Sequence, residues 1–371
     1  MSDQTPRTVN DRAATPKRSE AVTLETIAKR AGVHPSTVSR SLRRLPTDRA
    51  PSERSENIRR IAEELGYIPD RNAAALATAR SSTIGVLVPR LTDLVLAEIY
   101  DAIEVEANRH GLDSFVVNTH DETREQLRRV RSLVARRVNG LILGDVYRVG
   151  TSLAAIEAFN VPFVLVNRSR RGYPSSTCDD QLGGHLVGSH LANMGHTEIG
   201  IISGGLHTST AYDRVDGCRR ALAERGIDIP ESRIIALGFD VEAGRRGAAA
   251  LLDSRNPPTA IFATNDFAAI GAMGVLRDKH LQAGRDVAVV GFNDISLCRD
   301  LAIPLTSVRS PHALIGRTAV DMLLKLLAGD ECQSILHAPE LIVRESSDPG
   351  TSTYSDGYGG DHKAPHDAPS K

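Results

Sequence analysis

The sequence VTLETIAKRAGVHPSTVSRSL, residues 22–42, is the most informative stretch of the chain. Its first half repeats apolar side chains at three- and four-residue spacing, namely Leu24, Ile27, Ala28 and Ala31. This spacing predicts a helix with one apolar face. Thr23 stands at the predicted N-cap, and Gly32 stands where the chain must leave the helix.

The second half of this stretch predicts a short second helix with two unlike sides. Val38 and Leu42 point inward, and the outward side carries polar and charged side chains, namely Ser36, Thr37, Ser39 and Arg40. Across a tight turn from the first helix, such a helix can enter the major groove of duplex DNA. The stretch therefore predicts a helix-turn-helix.

Charge is distributed unevenly along the chain. Residues 1–83 contain 15 Lys and Arg against 10 Asp and Glu, whereas the remaining residues contain 30 against 36. The formal net charge of −1 thus combines a basic N-terminal part with an acidic body. That asymmetry fits a polyanion contacted by the N-terminal part alone, although a merely solvated basic surface would have the same charge.

Composition bounds the class of protein. With 371 residues, of which 41% are hydrophobic, the chain suits a small domain plus a larger one. No apolar run reaches about 18 residues, and the first 20 residues are polar, so we expect no membrane span and no secretory signal. The four widely spaced cysteines favour reduced thiols over disulfides or a zinc site. A cytoplasmic, nucleoid-associated protein is expected.

Changes in pattern divide the chain into five segments. The ends are polar and aperiodic, which predicts disordered tails. A third helix at Glu53–Leu65 completes the predicted DNA-binding domain. The predicted order is disordered tail, helix-turn-helix domain, hinge, body and disordered tail, over residues 1–20, 21–68, 69–82, 83–347 and 348–371.

The body alternates short apolar runs with helical patterns. Strands are predicted at Ile84–Val88, Phe115–Asn118, Gly140–Leu143, Phe163–Val166, Ile199–Ile202, Ala260–Ala263 and Val287–Val290. Continuous apolar runs predict parallel strands covered by helices on both faces. About 265 residues of this pattern exceed one core, so we expect two lobes. The fold class is α/β, with a small all-α head and a two-lobed body.

Polar residues follow the predicted strands at their carboxyl ends, where ligands bind in such folds. They are Thr92, Asp93, Asn118, Asn167, Arg168, Asn265, Asp266, Asn293 and Asp294. Taken singly, each suits an ordinary helix cap. Their shared position on one side of two sheets instead predicts a polar cleft.

Three motifs, in this order, resemble the lactose/galactose repressor family of bacterial transcription regulators. They are Val22-Thr-Leu through Ser39-Arg40, Glu64-Leu-Gly-Tyr-Ile-Pro69 followed by Thr83-Ile-Gly85, and Gly291-Phe-Asn-Asp294 with Ile342-Val-Arg-Glu-Ser346. The resemblance implies a homodimer that binds a pseudopalindromic operator and represses transcription. It also implies a body of two periplasmic-binding-protein-like lobes that encloses a small effector, over residues 83–347.

Carried over by position, the resemblance assigns roles in DNA binding. Pro35, Ser36 and Arg40 occupy the base-reading places, and a guanidinium can bond guanine O6 and N7 together. A phosphate contact or a surface ion pair is the alternative for Arg40. His34 adds a hydrogen-bond donor. Leu76 matches a leucine that, in the family, wedges into the minor groove. The alternative for Leu76 is an ordinary leucine of the linker. Phosphate contacts are expected from Thr23, Thr37, Ser39 and Arg43.

The resemblance also assigns the effector site. Its expected residues are Thr92, Asp93, Arg214, Phe239, Asp266 and Asn293. Planar hydrogen-bonding groups with one aromatic face suit a sugar or a sugar derivative. An arginine paired with an aspartate also allows an anionic sugar or a purine. The sequence does not distinguish an inducer from a corepressor.

Two other classes of protein fit less well. An enzyme is disfavoured because the chain has no G-x-G-x-x-G, no phosphate-binding Gly-Lys-Ser/Thr loop and no Gly-x-Ser-x-Gly motif, and no cofactor or metal is expected. A secreted sugar-binding protein would not explain residues 22–42. An activator, or a regulator without a ligand, stays open. The apolar helix Ile315–Leu327 is expected to contribute to oligomerisation, with a dimer as the result.

Overall fold

A computed structural model describes residues 22–42, 52–67, 82–348 and 350. The chain divides into two compact units, residues 1–79 and 80–371, and each is described by itself. The predicted tail 1–20, the predicted hinge up to residue 81, and residues 351–371 lie outside the described residues. Arg43 and Leu76, two of the predicted DNA contacts, also lie outside them.

In residues 22–42 and 52–67, the described part of the N-terminal unit, three helices surround a small apolar core. They are α1 (Leu24–Ala31), α2 (Pro35–Leu42) and α3 (Glu53–Glu64). Their buried side chains are Ile27, Ala28, Val38, Ile58, Ile61 and Ala62. The predicted caps of α1 are confirmed, since the Thr23 hydroxyl accepts the Thr26 amide at 3.3 Å and Gly32 has φ 65°. Glycine suits that left-handed turn, which lets α2 follow within a few residues.

The first lobe of the body is a six-stranded parallel sheet with the order β11-β5-β4-β3-β1-β2. Its strands are β1 (Thr83–Val88), β2 (Asp113–Asn118), β3 (Gly140–Leu143), β4 (Phe163–Val166), β5 (Ser175–Cys178) and β11 (Ile335–His337). Its connecting helices are α4 (Leu94–Arg109), α5 (Thr123–Ala135) and α6 (Ser152–Glu157). Parallel strands joined through helices place every strand's carboxyl end at one edge.

The second lobe repeats this arrangement with the order β12-β10-β9-β8-β6-β7. Its strands are β6 (Ile199–Ser203), β7 (Ile234–Ala236), β8 (Ala260–Ala263), β9 (Ala288–Asn293), β10 (Thr306–Arg309) and β12 (Glu340–Ile342). Its helices are α7 (Asp180–Asn193), α8 (Ser209–Ala223), α9 (Val241–Leu252) and α10 (Asp266–Asp278). Only β12 pairs antiparallel here, with β10.

The chain passes between the lobes after β5, after β10 and between β11 and β12. The second passage leads into α11 (His312–Ala328), which packs against α4 and the first sheet. Many of the apolar residues that were expected on an oligomer surface are buried within the chain, namely Ile315, Ala319, Val320, Met322 and Leu323. Because α11 covers a sheet face and also contacts α4, it needs more than one apolar face.

All seven predicted strands are present, and five further strands were not predicted. Two of these carry small polar residues that are nevertheless buried, namely β5 (sequence SSTC) and β10 (sequence TSVR). Their hydroxyl groups are hydrogen-bonded, as when the Ser176 hydroxyl donates to the Ile315 carbonyl at 2.9 Å. These partners are distant in sequence, and the strands themselves are not apolar. A search for runs of apolar residues therefore cannot find these strands. No helix in the described part of the chain is long and apolar enough to cross a membrane.

Candidate ligand cleft and nucleic-acid interface

The outward side of α2 presents most of the predicted DNA contacts together. His34, Ser36 and Arg40 are exposed, and Pro35, Thr37 and Ser39 are half-buried around the buried Val38. Arg40 Nε donates to the Ser36 carbonyl at 3.4 Å, which holds the side chain along its own helix. Thr23 is exposed at the start of α1.

His34 takes the place of the usual side-chain cap of α2. Its Nδ1 accepts the Ser36 amide at 3.3 Å and lies 2.8 Å from the Ser36 hydroxyl. A neutral ring that accepts at Nδ1 carries its proton on Nε2. His34 therefore both caps the helix and offers a donor on its outer side.

The body has a cleft at the carboxyl ends of both sheets. It is lined by Pro89, Asp93, Val95, Leu96, Asn167, Arg168, Thr210, Arg214, Phe239, Asn265 and Asn293. Each lobe contributes residues from the segments that follow its strands. Of the predicted effector residues, Asp93, Arg214, Phe239 and Asn293 come together here.

The first-lobe wall contains one paired arginine and one carboxylate. Arg168 is bidentate to Asp121, with nitrogen-to-oxygen distances of 2.6 and 3.0 Å. Asp93 caps α4 by accepting the Val95 amide at 3.0 Å. Burial raises the pKa of Asp93, and hydrogen bonds from the backbone of Val95 and Leu96 partly oppose that rise.

The second-lobe wall is built around Arg214. Its Nε donates to Asp180 at 2.7 Å, and its Nη1 donates to the Thr264 carbonyl at 2.7 Å. The guanidinium also lies 3.7 Å above the ring of Phe292. Burial raises the pKa of Asp180 to about 6, even though Arg214 lowers it. These contacts fix Arg214 before any ligand arrives.

Phe239, Asn265 and Asn293 complete the second-lobe wall. A Cβ added at Gly204 would lie 2.1 Å from Phe239 Cζ, so glycine there makes room for the aromatic ring. The side-chain oxygen Oδ1 of Asn265 accepts the Phe267 amide at 2.8 Å, which leaves the side-chain NH₂ group as a donor. Asn293 Oδ1 is buried without a hydrogen-bond partner among the described residues. A buried acceptor of this kind gains most from a ligand donor.

Two predicted effector residues lie elsewhere. Asp266, expected to reach the cleft, is fully buried behind its wall. Its two carboxylate oxygens accept the Ser307 hydroxyl at 2.5 Å and the Ile295 amide at 2.9 Å. Burial raises the pKa of Asp266 to about 7. Thr92 is exposed and lines an adjoining depression that shares Asp93 and Phe239 with the cleft.

Sequence reasoning did not single out several residues of the cleft. Asn167, Arg168 and Asn265 were found only as polar residues after strands, and Thr210 was not found. Because ligands bind beyond the carboxyl ends of the strands in such folds, this position could have identified Asn167, Arg168 and Asn265 as cleft residues. Asp121 has no such local signal, because it is 47 residues away from the arginine that it pairs with.

The lobes contact each other beside the cleft. The Ser169 amide donates to the Ser209 hydroxyl at 2.8 Å, and the Arg148 amide donates to the His207 carbonyl at 2.9 Å. The Arg148 guanidinium lies 3.4 Å from the ring centroid of Tyr212. These bonds join segments that belong to different sheets, so they break when the lobes separate.

One surface group of possible metal ligands occurs among the described residues. Glu106, His110 and Asp321 have ligand atoms within 4.8 Å of one another. Arg109 already pairs with Glu106 at 2.9 Å, and it would compete with a cation for that carboxylate.

Comparison with known proteins gives consistent matches over most of the chain. Residues 23–70 match the model of the lacI family of bacterial regulatory proteins, and residues 189–347 match that of a periplasmic binding protein-like domain. The transcriptional regulator DegA of Bacillus subtilis is 30% identical, over 88% of this chain and 98% of that protein. The HTH-type transcriptional repressor PurR of Haemophilus influenzae is also 30% identical, over 87% of this chain and 98% of that protein.

Solved structures agree with these matches. The lac repressor dimer bound to operator and the anti-inducer ONPF superposes with a TM-score of 0.80 at 28% identity, over 89% of this chain and all of that one. The complex of the regulator CelR with cellobiose superposes with a TM-score of 0.67 at 27% identity, over 88% and 99%. The two-domain organisation is therefore shared with regulators of known structure.

Proposed function

The chain belongs to the lacI family of bacterial regulatory proteins, and from this premise we propose that it is a homodimeric repressor of a pseudopalindromic operator, controlled by a neutral sugar. It acts on chromosomal DNA in the cytoplasm, by binding and without catalysis. The proposal that the ligand is neutral rests on one observation, namely that the arginines of the cleft are already paired with aspartates of the same chain.

Both cleft arginines are neutralised within the chain. Arg168 pairs with Asp121, and Arg214 pairs with Asp180. Asp93 adds a third carboxyl group to the cleft wall: burial raises its pKa, and it lies near enough to Arg168 for that arginine to oppose the rise. An anionic ligand would therefore meet no surplus positive charge and one acidic group. A neutral ligand avoids this conflict.

The remaining groups match a polyhydroxylated ring. Phe239 offers an aromatic face, and amide and hydroxyl groups of Asn167, Thr210, Asn265 and Asn293 surround it. Ring hydroxyls can donate to Asn293 Oδ1 and accept from the free NH₂ group of Asn265. The CelR structure contains cellobiose, a neutral sugar, which supports the same class of ligand.

A purified-protein screen tests the ligand class. Thermal shift of the full chain is measured with neutral sugars, sugar acids, sugar phosphates and nucleobases. We expect stabilisation by a neutral sugar, and Phe239→Ala should weaken its binding by roughly 10- to 100-fold because the stacking face is lost. Phe115→Ala, at an exposed residue of the first lobe, is the matched control. A screen in which only sugar acids, sugar phosphates or nucleobases bind would overturn the proposal.

DNA recognition is assigned to the outward side of α2. We propose that Arg40 reads guanine, with Pro35 and Ser36 beside it. His34 donates a hydrogen bond from Nε2, and Leu76 wedges into the minor groove. Four further residues bind phosphates: Thr23, Thr37, Ser39 and Arg43. Selection from random duplexes with the full chain should enrich inverted repeats. In the enriched site, Arg40→Ala should cost about 1–3 kcal/mol and relax one base position per half-site.

Binding of the ligand should change the affinity for the operator, and binding of the operator should change the affinity for the ligand, through closure of the lobes. The expected coupling free energy is about 1–3 kcal/mol and is the same in both directions. Operator affinity measured with and without the sugar gives its sign, which distinguishes an inducer from a corepressor. Equal operator affinity at saturating sugar would contradict a regulatory role of the cleft.

A further inference from the structure

The outer face of α5 is unusually rich in arginine. Between residues 121 and 139 the chain has six arginines and three acidic residues. The arginines are Arg124, Arg128, Arg129, Arg131, Arg136 and Arg137. The inner face of α5 is buried through Gln126, Val130 and Leu133, so core packing does not explain the arginines.

Local ion pairs account for only two of these side chains. Glu125 pairs with Arg128 and Arg129, and the hydrogen bond from Arg128 lowers the pKa of Glu125 to about 2. The other four side chains make no ion pair or hydrogen bond with any residue that the structure describes, and all four are exposed: Arg124, Arg131, Arg136 and Arg137. We call these four unpaired side chains, Arg124, Arg131, Arg136 and Arg137, the arginine row.

The helix dipole does not explain the row. Cations near the C-terminus of a helix are stabilising, which suits Arg136 and Arg137. Arg124, however, lies in the first turn of α5, where a positive charge is unfavourable. Arg137 has φ 60°, a conformation in which glycine or asparagine is less strained. The chain thus keeps positive charge at two positions where local stability favours another residue.

The second lobe provides an internal comparison. Its helix α9 joins β7 to β8 just as α5 joins β2 to β3. The α9 helix has two arginines, and one of them, Arg245, pairs with Asp278 at 2.7 Å. Shared topology therefore does not require the arginine row. It is a property of the first lobe alone.

The first lobe is also where the body joins the DNA-binding unit in sequence. The Asn139 amide donates to the Thr83 carbonyl at 2.8 Å, so the end of α5 lies beside the first residue of β1. Fourteen residues separate Tyr67 from Ser82, which sets a maximum reach of about 50 Å. DNA held by the N-terminal unit is consequently present near the body at high effective concentration.

We propose that the arginine row binds the phosphate backbone of duplex DNA that flanks the operator. This inference rests on operator binding by the N-terminal unit. The row begins in the first turn of α5 and ends just past its last residue, a span of about 20 Å, so its four unpaired cations can contact several phosphates. Such contacts add affinity and salt dependence without reading sequence.

The test uses the full chain and the site enriched by the selection described above. Binding is measured over a range of salt concentrations on a short duplex that contains only that site and on a long duplex with about 20 bp of unrelated sequence on each side. The variant Arg124→Gln/Arg131→Gln is compared with Arg246→Gln/Arg255→Gln, which removes two exposed arginines from the second lobe.

On the long duplex, the row variant should bind roughly tenfold more weakly at low salt. Its slope of log affinity against log salt should fall by about 2–4, since each phosphate contributes about 0.9. The short duplex and the control variant should be unaffected. Equal losses on both duplexes, no loss on either, or dissociation of the dimer in sedimentation would each overturn the proposal. Failure of the wild type to enrich any site would instead count against operator binding itself.

Discussion

The two lobes of the body share one topology and differ in the chemistry that they bring to the cleft. Both have a six-stranded sheet with the same order of strands and helices. Each lobe contributes a buried, paired arginine; the first lobe adds a carboxyl group and one amide, and the second adds two amides, a hydroxyl group and an aromatic ring. Topology therefore sets where a ligand binds, and the segments after the strands set what binds.

The two arginine pairs differ most in their access to water. Arg214 and Asp180 have side chains that are 4% and 5% exposed, whereas Asp121, the partner of Arg168, is 24% exposed. Removal of one partner leaves an unpaired charge in either lobe. When the arginine is the partner removed, the carboxylate left behind is buried in the second lobe (Asp180) and partly exposed to water in the first (Asp121).

The largest expected effect comes from breaking these pairs. Arg214→Ala should lower the free energy of unfolding by about 3–5 kcal/mol, because it strands Asp180 in the interior. Arg168→Ala should cost about 1–2 kcal/mol, since water can reach Asp121. Urea unfolding of both variants measures the difference. The double variant Asp180→Asn/Arg214→Met should recover much of the loss, and equal losses in the two single variants would contradict the contrast.

A second expected effect concerns pH and the buried carboxyl group of Asp266. Its pKa is raised from 3.8 to about 7, so the folded lobe retains a proton that the unfolded chain releases. Stability should therefore fall as pH rises from about 4 to about 7, by roughly 2–4 kcal/mol. Asp266→Asn should flatten this fall.

Urea unfolding across that pH range is the measurement for Asp266. Asp253→Asn, at an exposed residue that pairs with Lys279, serves as the control and should leave the slope unchanged. Identical pH profiles for the wild type and Asp266→Asn would show that the carboxyl group titrates normally.

The smallest expected effect lies at the contact between the lobes. Ser209→Ala removes the hydroxyl that accepts the Ser169 amide, at a cost of about 1 kcal/mol to the closed form. Affinity for the sugar should fall about fivefold, with little change in unfolding. Ser232→Ala, at an exposed serine of the same lobe, is the control. Isothermal titration calorimetry measures the sugar affinity of both variants. An unchanged affinity of Ser209→Ala would show that this contact does not contribute to ligand binding.

Local spacing was sufficient to predict the head and the main strands. The capping box at Thr23, the turn at Gly32 and the apolar strand β3 depend on neighbours in sequence, which a reader of the sequence can see. Strands β5 and β10 were missed because their buried hydroxyl groups find partners far along the chain.

The same limit applies to the cleft. Position after a strand placed Asp93 and Asn293 correctly on its wall, yet it also suggested Asp266, whose side chain turns into the lobe to hold Ile295 and Ser307. The partners that neutralise the two arginines lie 34 and 47 residues away. Local patterns in the sequence therefore could not predict the charge balance of the cleft, on which the proposed class of ligand depends.

The last passage between the lobes has a consequence for the integrity of the fold. Strand β11 ends at His337 in the first sheet, and β12 begins at Glu340 in the second, so two residues separate edge strands of different lobes. A protein shortened before residue 335 loses an edge strand from each sheet in one event. Loss of this segment therefore destabilises both lobes of the body at the same time. A truncated protein of this kind would not retain one intact lobe.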